Sequence, residues 1–354
     1  MIRFEGKMYN KRQEAILAFI KSHKSTTRQK VQNYIEQLFD KTSKITILRD
    51  LELLLNDGLI IKSGNARATE YHPAISTELL EAIDVETYFA QEADSRKLKS
   101  EKFNFEIWSL LTNLLTEKEK ADFQQLNQKY LLNKAKLTPT ILHKELERLT
   151  IELAWKSSKI EGNTYTLLDT ERLLKDNVSA KGKSKAEMQM ILNHKKALDY
   201  LIDRPEYYKE LSLSKIEDIH RLLVDGLDVS LGIRHNVVGI VGTNYKPIDN
   251  AFQIKEALQE LIKIINQTEN PLEKALLAVL MIAYIQPFED GNKRTSRILG
   301  NALLLANNYC PLSYRSVDEV EYKKAIILFY EQNNASYFKQ LFLEQFKQAV
   351  EKYF

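Results

Sequence analysis

Cysteine is almost missing from this chain: Cys310 stands alone among 354 residues. That excludes an intrachain disulfide and a cysteine-built zinc cluster, and it fits a reducing compartment, so the expected location is cytoplasmic. Long apolar runs are missing too. The longest, Ala275 to Ile285, has eleven residues, against the roughly 18 that a membrane span requires. The opening MIRFEGKMYNKRQ holds no apolar stretch of the signal-peptide kind, so neither export nor a membrane partner is expected. Glycine is sparse, at eleven residues, and no glycine-rich or low-complexity linker interrupts the sequence, which points to packed helices between its parts. Paired metal ligands are likewise absent around His194 and His220, since neither has a second His or an acid at i+4. They read as packed or surface histidines. A phosphate-binding P-loop is suggested by Gly182, Lys183 and Ser184, but its first glycine would fall at Asn177 and no strand precedes it. That segment reads as a basic surface loop.

What is present suffices for two or more domains with a real core, since 44% of the residues are hydrophobic. The net charge of +3 is unevenly placed. Residues 1 to 75 hold thirteen Lys or Arg against eight Asp or Glu, a local excess of +5 that leaves −2 for the remainder. A basic excess confined to one end is expected where only that end meets nucleic acid.

That end, residues 1–75, reads as a domain of its own. Ala15, Ile16, Phe19 and Ile20 recur at helical spacing; Thr26 and Thr27 open a second helix. Ser43 caps a third, with Ile47, Leu48, Leu51 and Leu55 inward and Gly58 as its stop. Leu59 to Ile61 and Thr69 to Tyr71, separated by Ser63, Gly64 and Asn65, read as a short hairpin. Three helices and a hairpin in this length suggest a winged helix-turn-helix. The run SKITILRDLELLLNDGLI resembles the recognition-helix region of bacterial winged-helix regulators. The resemblance implies DNA contact by Lys44, Thr46 and Arg49 on the outward face and by Arg67 in the wing. The alternative is a module for protein contact whose charges are only solvated surface.

Residues 76–137 carry helical patterns but no evident chemistry, and their aromatics Tyr88, Phe89, Phe103, Phe105 and Trp108 read as the core of a helical connector. Thr138 and Pro139 then start a helix over 139–161, with Leu142, Leu146, Leu149, Leu153 and Ile160 on its buried stripe and Gly162 as its stop. Glu161 falls in the last turn, where the helix dipole disfavours an anion, so it calls for a cationic partner. Between Gly232 and Pro247, the sequence GIRHNVVGIVGTNYKP predicts a β-hairpin. Asn270 and Pro271 begin a helix that is apolar all round and hence central.

That central helix runs into Gln286 to Arg297, QPFEDGNKRTSR. Asp290, Gly291, Asn292 and Lys293 are too polar and glycine-bearing to continue a helix, so a tight loop feeds a new helix N-terminus. Unpaired amides and a positive dipole end make such a turn an anion site. Arg294 and Arg297, three apart, share a face that can close on a polyanion. Asp290 would repel a bare phosphate unless a hard cation bridged them, which points to magnesium and a nucleotide.

The same stretch resembles the Fic (Fido) signature HPFx[D/E]GNGRxxR, through Pro287, Phe288, Asp290, Gly291, Asn292, Arg294 and Arg297. Gln286 stands at the family's histidine and Lys293 at its usual glycine. The resemblance implies a mainly α fold for residues 138–354, an all-helical Fic bundle with a β-hairpin flap. It implies that Val238, Gly239, Ile240 and Val241 in that flap pair with an extended target segment, and that ATP binds over residues 290–297 with Mg2+ on Asp290. Ser157, Glu161 and Gly162 resemble the [S/T]xxxE[G/N] inhibitory motif, which implies a Glu161–Arg297 pair obstructing the γ-phosphate. In the family the histidine takes a proton from a Ser, Thr or Tyr hydroxyl of a target protein as AMP is transferred. A glutamine amide cannot accept that proton near neutral pH, and loss of a general base costs about 10²- to 10⁴-fold.

The favoured expectation is therefore an ATP-binding Fic-fold protein, impaired in transfer, autoinhibited and delivered to DNA as a nucleotide-responsive regulator. A working AMP transferase is the alternative, or a phosphotransferase of the Doc toxin branch, which the string GNKRT resembles. A third is a dimerising scaffold without ligand, with a second copy of the chain as partner.

Overall fold

The computed structural model describes residues 3–4, 7–23, 25–39, 42–64, 68–74 and 79–353. The chain divides into two compact units, Met1–Asp84 with Glu106–Asp122, and Val85–Phe105 with Phe123–Phe354. The first unit opens with β1 (Arg3–Phe4) paired to β2 (Lys7–Met8), followed by α1 (Lys11–His23), β3 (Thr26–Thr27), α2 (Arg28–Leu38), α3 (Lys44–Asn56), β4 (Ile60–Ser63) and β5 (Glu70–Pro73). The last three strands form an antiparallel sheet in the order β3-β5-β4, with Thr26 opposite Tyr71 and Lys62 opposite Tyr71 on its other side. Thr27 caps α2 by accepting from the Lys30 amide, and Ser43 caps α3 by accepting from Thr46.

Ile16, Leu17 and Ile20 of α1, Val31 and Ile35 of α2, and Ile47, Leu51 and Leu54 of α3 are buried together as the core of this unit. The expected inward set on α3 is corrected in phase: Leu54 is buried, whereas Leu48 and Leu55 are half-buried. Positions 47, 51 and 54 follow i, i+4, i+7 and keep one stripe inward, with Asp50 beside them held by Arg12 at 2.5 Å and Gln13 at 2.9 Å. Lys44 and Arg49 are exposed and Thr46 is half-buried against Ser43. Arg67 lies outside the described residues.

In the second unit α4 (Val85–Phe89) leads into a 3-10 turn at Ala93–Ser95; α5 (Glu117–Lys136) begins in the first unit and ends in the second. There follow α6 (Pro139–Ile160), α7 (Leu167–Asp176), α8 (Lys185–Asp203), α9 (Leu213–Val224), α10 (Ala251–Gln267), α11 (Pro271–Ile285), α12 (Asn292–Ala306), α13 (Glu319–Gln332) and α14 (Ser336–Tyr353). Every residue of α11 except Pro271 and Lys274 is buried. The all-apolar helix expected from the sequence is thus the axis of the unit. Its neighbour α12 approaches so closely at Gly300 that a Cβ there would stand 2.8 Å from Val279 Cγ2. No described helix is long and apolar enough to cross a membrane.

The hairpin expected over 232–247 is not formed. The segment runs as an extended loop with a turn at 241–242, and its one ladder contact is an isolated parallel bridge between Lys246 and Lys102. Val237 and Val241 are 75% and 97% exposed. With those valines in water, the loop offers no apolar face on which a two-stranded ribbon would gain stability.

A candidate functional site at the start of α12

Helix α11 ends at Gln286, whose backbone turns left-handed (φ 52°, ψ 59°). Its amide N–H donates to the Ile282 carbonyl, and its side-chain Nε2 donates back to the Ala283 carbonyl at 2.6 Å. Gln286 is thus a cap that satisfies two carbonyls freed at the helix end. The loop beyond it is closed reciprocally: Phe288 N–H donates to Asn292 Oδ1, and Asn292 Nδ2 donates to the Phe288 carbonyl, both at 2.8 Å. Gly291, left-handed at φ 81°, sits at the N-cap position of α12 with no side-chain cap bond. A Cβ there would approach Val224 Cγ1 to 3.2 Å. No N-cap side chain therefore covers the first amides of α12, while the Gly291 amide itself donates to Asp290 Oδ1 at 2.5 Å.

Two side chains that sequence reasoning missed hold this loop. Arg234, 3% exposed, donates from Nε to the Gln286 carbonyl at 2.6 Å, from its backbone N–H to the Pro287 carbonyl at 3.0 Å, and from its other nitrogens to the carbonyls of Asn236 and Ile248. His220 stacks on Phe288 with ring centres 3.8 Å apart, and its Nε2 donates to the Asp290 carbonyl at 3.0 Å. Burial pushes its pKa down to about 4, so the ring is neutral and donates from Nε2 alone. The sequence did flag His220, but only as a rejected metal ligand. Arg234 sits in a stretch that read as strand, where nothing marked it as a loop brace.

Three cations gather around one carboxylate. Arg297, fully buried, donates to Glu161 Oε1 at 2.8 Å, to Ser157 Oγ at 2.9 Å and to the Ser157 carbonyl at 3.0 Å. Lys293 Nζ lies 3.4 Å from Glu161 Oε2. Burial alone would raise the Glu161 pKa, but Arg297, Lys293 and Arg294 together hold it down at about 2. Ser157 is itself fixed: the His194 Nδ1 donates to the Met190 carbonyl, which leaves Nε2 to accept from the Ser157 hydroxyl at 2.8 Å. Burial pushes His194 down to about 3, so that acceptor is retained at any ordinary pH. Arg294, 2% exposed, pairs with Asp290 at 2.7 Å, while its Nη1 is buried with no hydrogen-bond partner. An unused guanidinium nitrogen in such a place is an invitation to an anion.

These groups line a cleft of about 460 Å³ that also takes in Val238–Val241, Tyr322 and Tyr330. Glu161, Gly162, Gln286 and Asp290–Arg294 all line it, and Ser157 and Arg297 lie buried behind Glu161. His235 is exposed and outside it. Among the described residues no group of three or more His, Cys, Asp or Glu stands ready for a metal. Asp290 is a single carboxylate beside this turn, its Oδ1 accepting from the Gly291 amide and its Oδ2 from Arg294; magnesium is usually held by one or two carboxylates with phosphate and water completing the shell.

The family described as Fic/DOC matches residues 210–304, a span that holds Arg234, Gln286 and the whole of α12 up to Leu304. The chain is 33% identical over 161 residues to the protein adenylyltransferase Fic of Drosophila virilis, covering 45% of this chain and 33% of that protein. It is 33% identical over 156 residues to the protein of the same name from Drosophila ananassae, covering 43% and 31%. It thus spans about a third of the length of the curated relatives it matches. Among solved structures, Fic-1 from C. elegans superposes with a TM-score of 0.57 at 22% identity, over 67% of this chain and 71% of that one. A Fic domain containing signaling protein from Bacteroides thetaiotaomicron does so with a TM-score of 0.55 at 21% identity, over 65% and 94%. Residues 210–304 are accordingly a Fic/DOC family domain, set in a mainly helical fold shared with solved Fic structures.

Proposed function

We propose that the cleft binds ATP with magnesium, that Glu161 holds it shut in the resting state, and that transfer from the bound nucleotide is impaired because Gln286 offers no proton acceptor. The observation that carries this reading is the Glu161–Arg297 pair placed directly over an uncapped helix start. Phosphate oxygens would take the amides of residues 292 and 293 and the free Nη1 of Arg294, would displace Asp290 Oδ1 from the Gly291 amide, and would compete with Glu161 for Arg297 and Lys293. Magnesium, shared between Asp290 and the phosphates, would offset their charge.

The curated relatives are named protein adenylyltransferases, and AMP transfer sets a clear requirement. A target hydroxyl oxygen bonds to the α-phosphorus, pyrophosphate leaves, and the hydroxyl proton needs an acceptor. Gln286 Nε2 is already a donor to Ala283, and an amide is not basic near neutrality. A second reading, a slow adenylyltransferase or a Doc-like phosphotransferase acting on a protein hydroxyl, is favoured by the relatives' names and by Lys293 in the loop.

The three helices and the β3-β5-β4 sheet of the first unit support a winged helix-turn-helix that brings the chain to DNA through Lys44, Thr46, Arg49 and Arg67. The two activities together describe a nucleotide-responsive regulator.

Calorimetric titration with ATP and magnesium tests the cleft. The Glu161→Gly variant is expected to bind with measurable heat and the unaltered chain at least about tenfold more weakly, the factor that corresponds to 1.4 kcal/mol. No heat with Glu161→Gly would overturn the nucleotide reading.

A further inference from the structure

The loop that lines one side of the cleft is held at its far end by a segment to which no role is yet attached. Arg96, 9% exposed, donates from Nη2 to the Gly242 carbonyl at 2.5 Å and to Glu331 Oε1 at 3.0 Å, with Glu331 fully buried on α13. Tyr88 donates to the second oxygen of Glu331 at 2.7 Å. The guanidinium lies over the Phe89 ring at 4.9 Å. The same segment grips the loop a second time further on. Asn244 Nδ2 donates to Asp94 Oδ1 at 3.0 Å, and the Lys246 amide donates to the Glu101 carbonyl at 2.7 Å.

These contacts are unlike surface decoration. A buried Arg–Glu pair is kept only where hydrogen bonds complete it, and here the completing acceptor is a loop carbonyl next to Val241. Chain order adds a constraint. The first unit ends at Asp84 and resumes at Glu106, and Val85–Phe105 between them belongs to the second unit. The gripping segment is thus tied at both ends to the unit that carries Lys44 and Arg49.

We propose that Val85–Phe105 is a strap that sets the distance between the 238–241 loop and the start of α12, with Arg96 as its positioning residue. This rests on the nucleotide reading of the cleft only in its functional half: Arg96 fixes the loop whatever occupies the cleft, and the fixed loop is what admits ATP tightly.

The test is made in full-length Glu161→Gly protein, comparing Arg96→Lys with Tyr88→Phe. Lysine retains a cation for Glu331, but its shorter side chain ends before the Nη2 position from which arginine serves both Glu331 and the Gly242 carbonyl. Tyr88→Phe removes a bond to the same Glu331 without touching the loop, and so reports the purely structural cost. Amide hydrogen exchange of residues 238–242 and the Kd for Mg–ATP are measured for each, with melting temperature recorded alongside. Arg96→Lys is expected to speed exchange in that loop and to weaken ATP by roughly tenfold or more, the loss of one hydrogen bond to a charged donor, while Tyr88→Phe leaves both near the parent. Unchanged loop exchange in Arg96→Lys, or an equal loss of affinity in the two variants, would overturn the proposal. If the parent binds no ATP, the nucleotide reading fails on its own, and the exchange comparison still decides whether Arg96 holds the loop.

Discussion

Glu161 is the residue on which the cleft turns. Its carboxylate is held near pKa 2 by Arg297, Lys293 and Arg294, below the value of about 4.3 for a free glutamate. A depressed folded-state pKa contributes stability above the unfolded value and loses it as pH falls from there towards 2. The clamp therefore stays charged throughout the physiological range. Melting temperatures of the unaltered chain and of Glu161→Gln should differ by a constant amount above about pH 5.5 and converge between about pH 4.5 and 2; a difference that grows on acidification would contradict the assignment. Nucleotide affinity is likewise expected not to rise between pH 8 and 5. Much at this scale was legible beforehand. Glu161 at a helix end, Arg297 three residues beyond Arg294 and the inhibitory spacing from Ser157 led to a pair that the structure places at 2.8 Å. His194 was not legible as a partner of Ser157, because a contact between α6 and α8 leaves no local pattern in either helix.

At the level of elements, the turn between α11 and α12 depends on one buried arginine and one left-handed glycine. Arg234 satisfies four carbonyl groups through side chain and backbone. Replacement by Met would leave three of them without their donor, at roughly 1 kcal/mol or more each. Thermal unfolding should show a loss of several degrees, about 2–4 °C per kcal/mol for a chain of this class, together with loss of ATP binding by Glu161→Gly protein. Gly291→Ala would place a Cβ 3.2 Å from Val224 and force a left-handed alanine, costing about 1–2 kcal/mol. Its main effect should be on ATP affinity, since the strained amides are the ones offered to phosphate. A melting loss with unchanged affinity would argue against an amide nest. The helices and their caps were readable from Thr138, Asn270 and Pro271, because capping chemistry is local. The hairpin over 232–247 was not, because alternation of Val and Ile reports strand propensity and says nothing about whether a partner face exists.

Across the whole molecule, the basic excess of +5 is confined to residues 1–75, while the remainder of the chain carries −2. Reversing the exposed charges in Lys44→Glu with Arg49→Glu is expected to weaken duplex DNA binding at least about tenfold and to lower the salt slope by about two counter-ions. Unchanged affinity would assign those side chains to solvent or to protein contact. The division into units was only partly readable. Residues 76–137 gave no sign in sequence that Val85–Phe105 would leave the first unit to grip α13, since an isolated Arg96 and Glu331 look like any two charges until burial pairs them. The proposal is at bottom chemical: a nucleotide in this cleft, with Gln286 offering no group to take the hydroxyl proton. It is tested most directly by the rate of adenylate transfer from labelled ATP by Glu161→Gly protein and by the same protein carrying Gln286→His. The rate is expected to be at least about 100-fold higher with the histidine, the lower bound for a restored general base; equal rates in the two proteins would contradict the role given to Gln286.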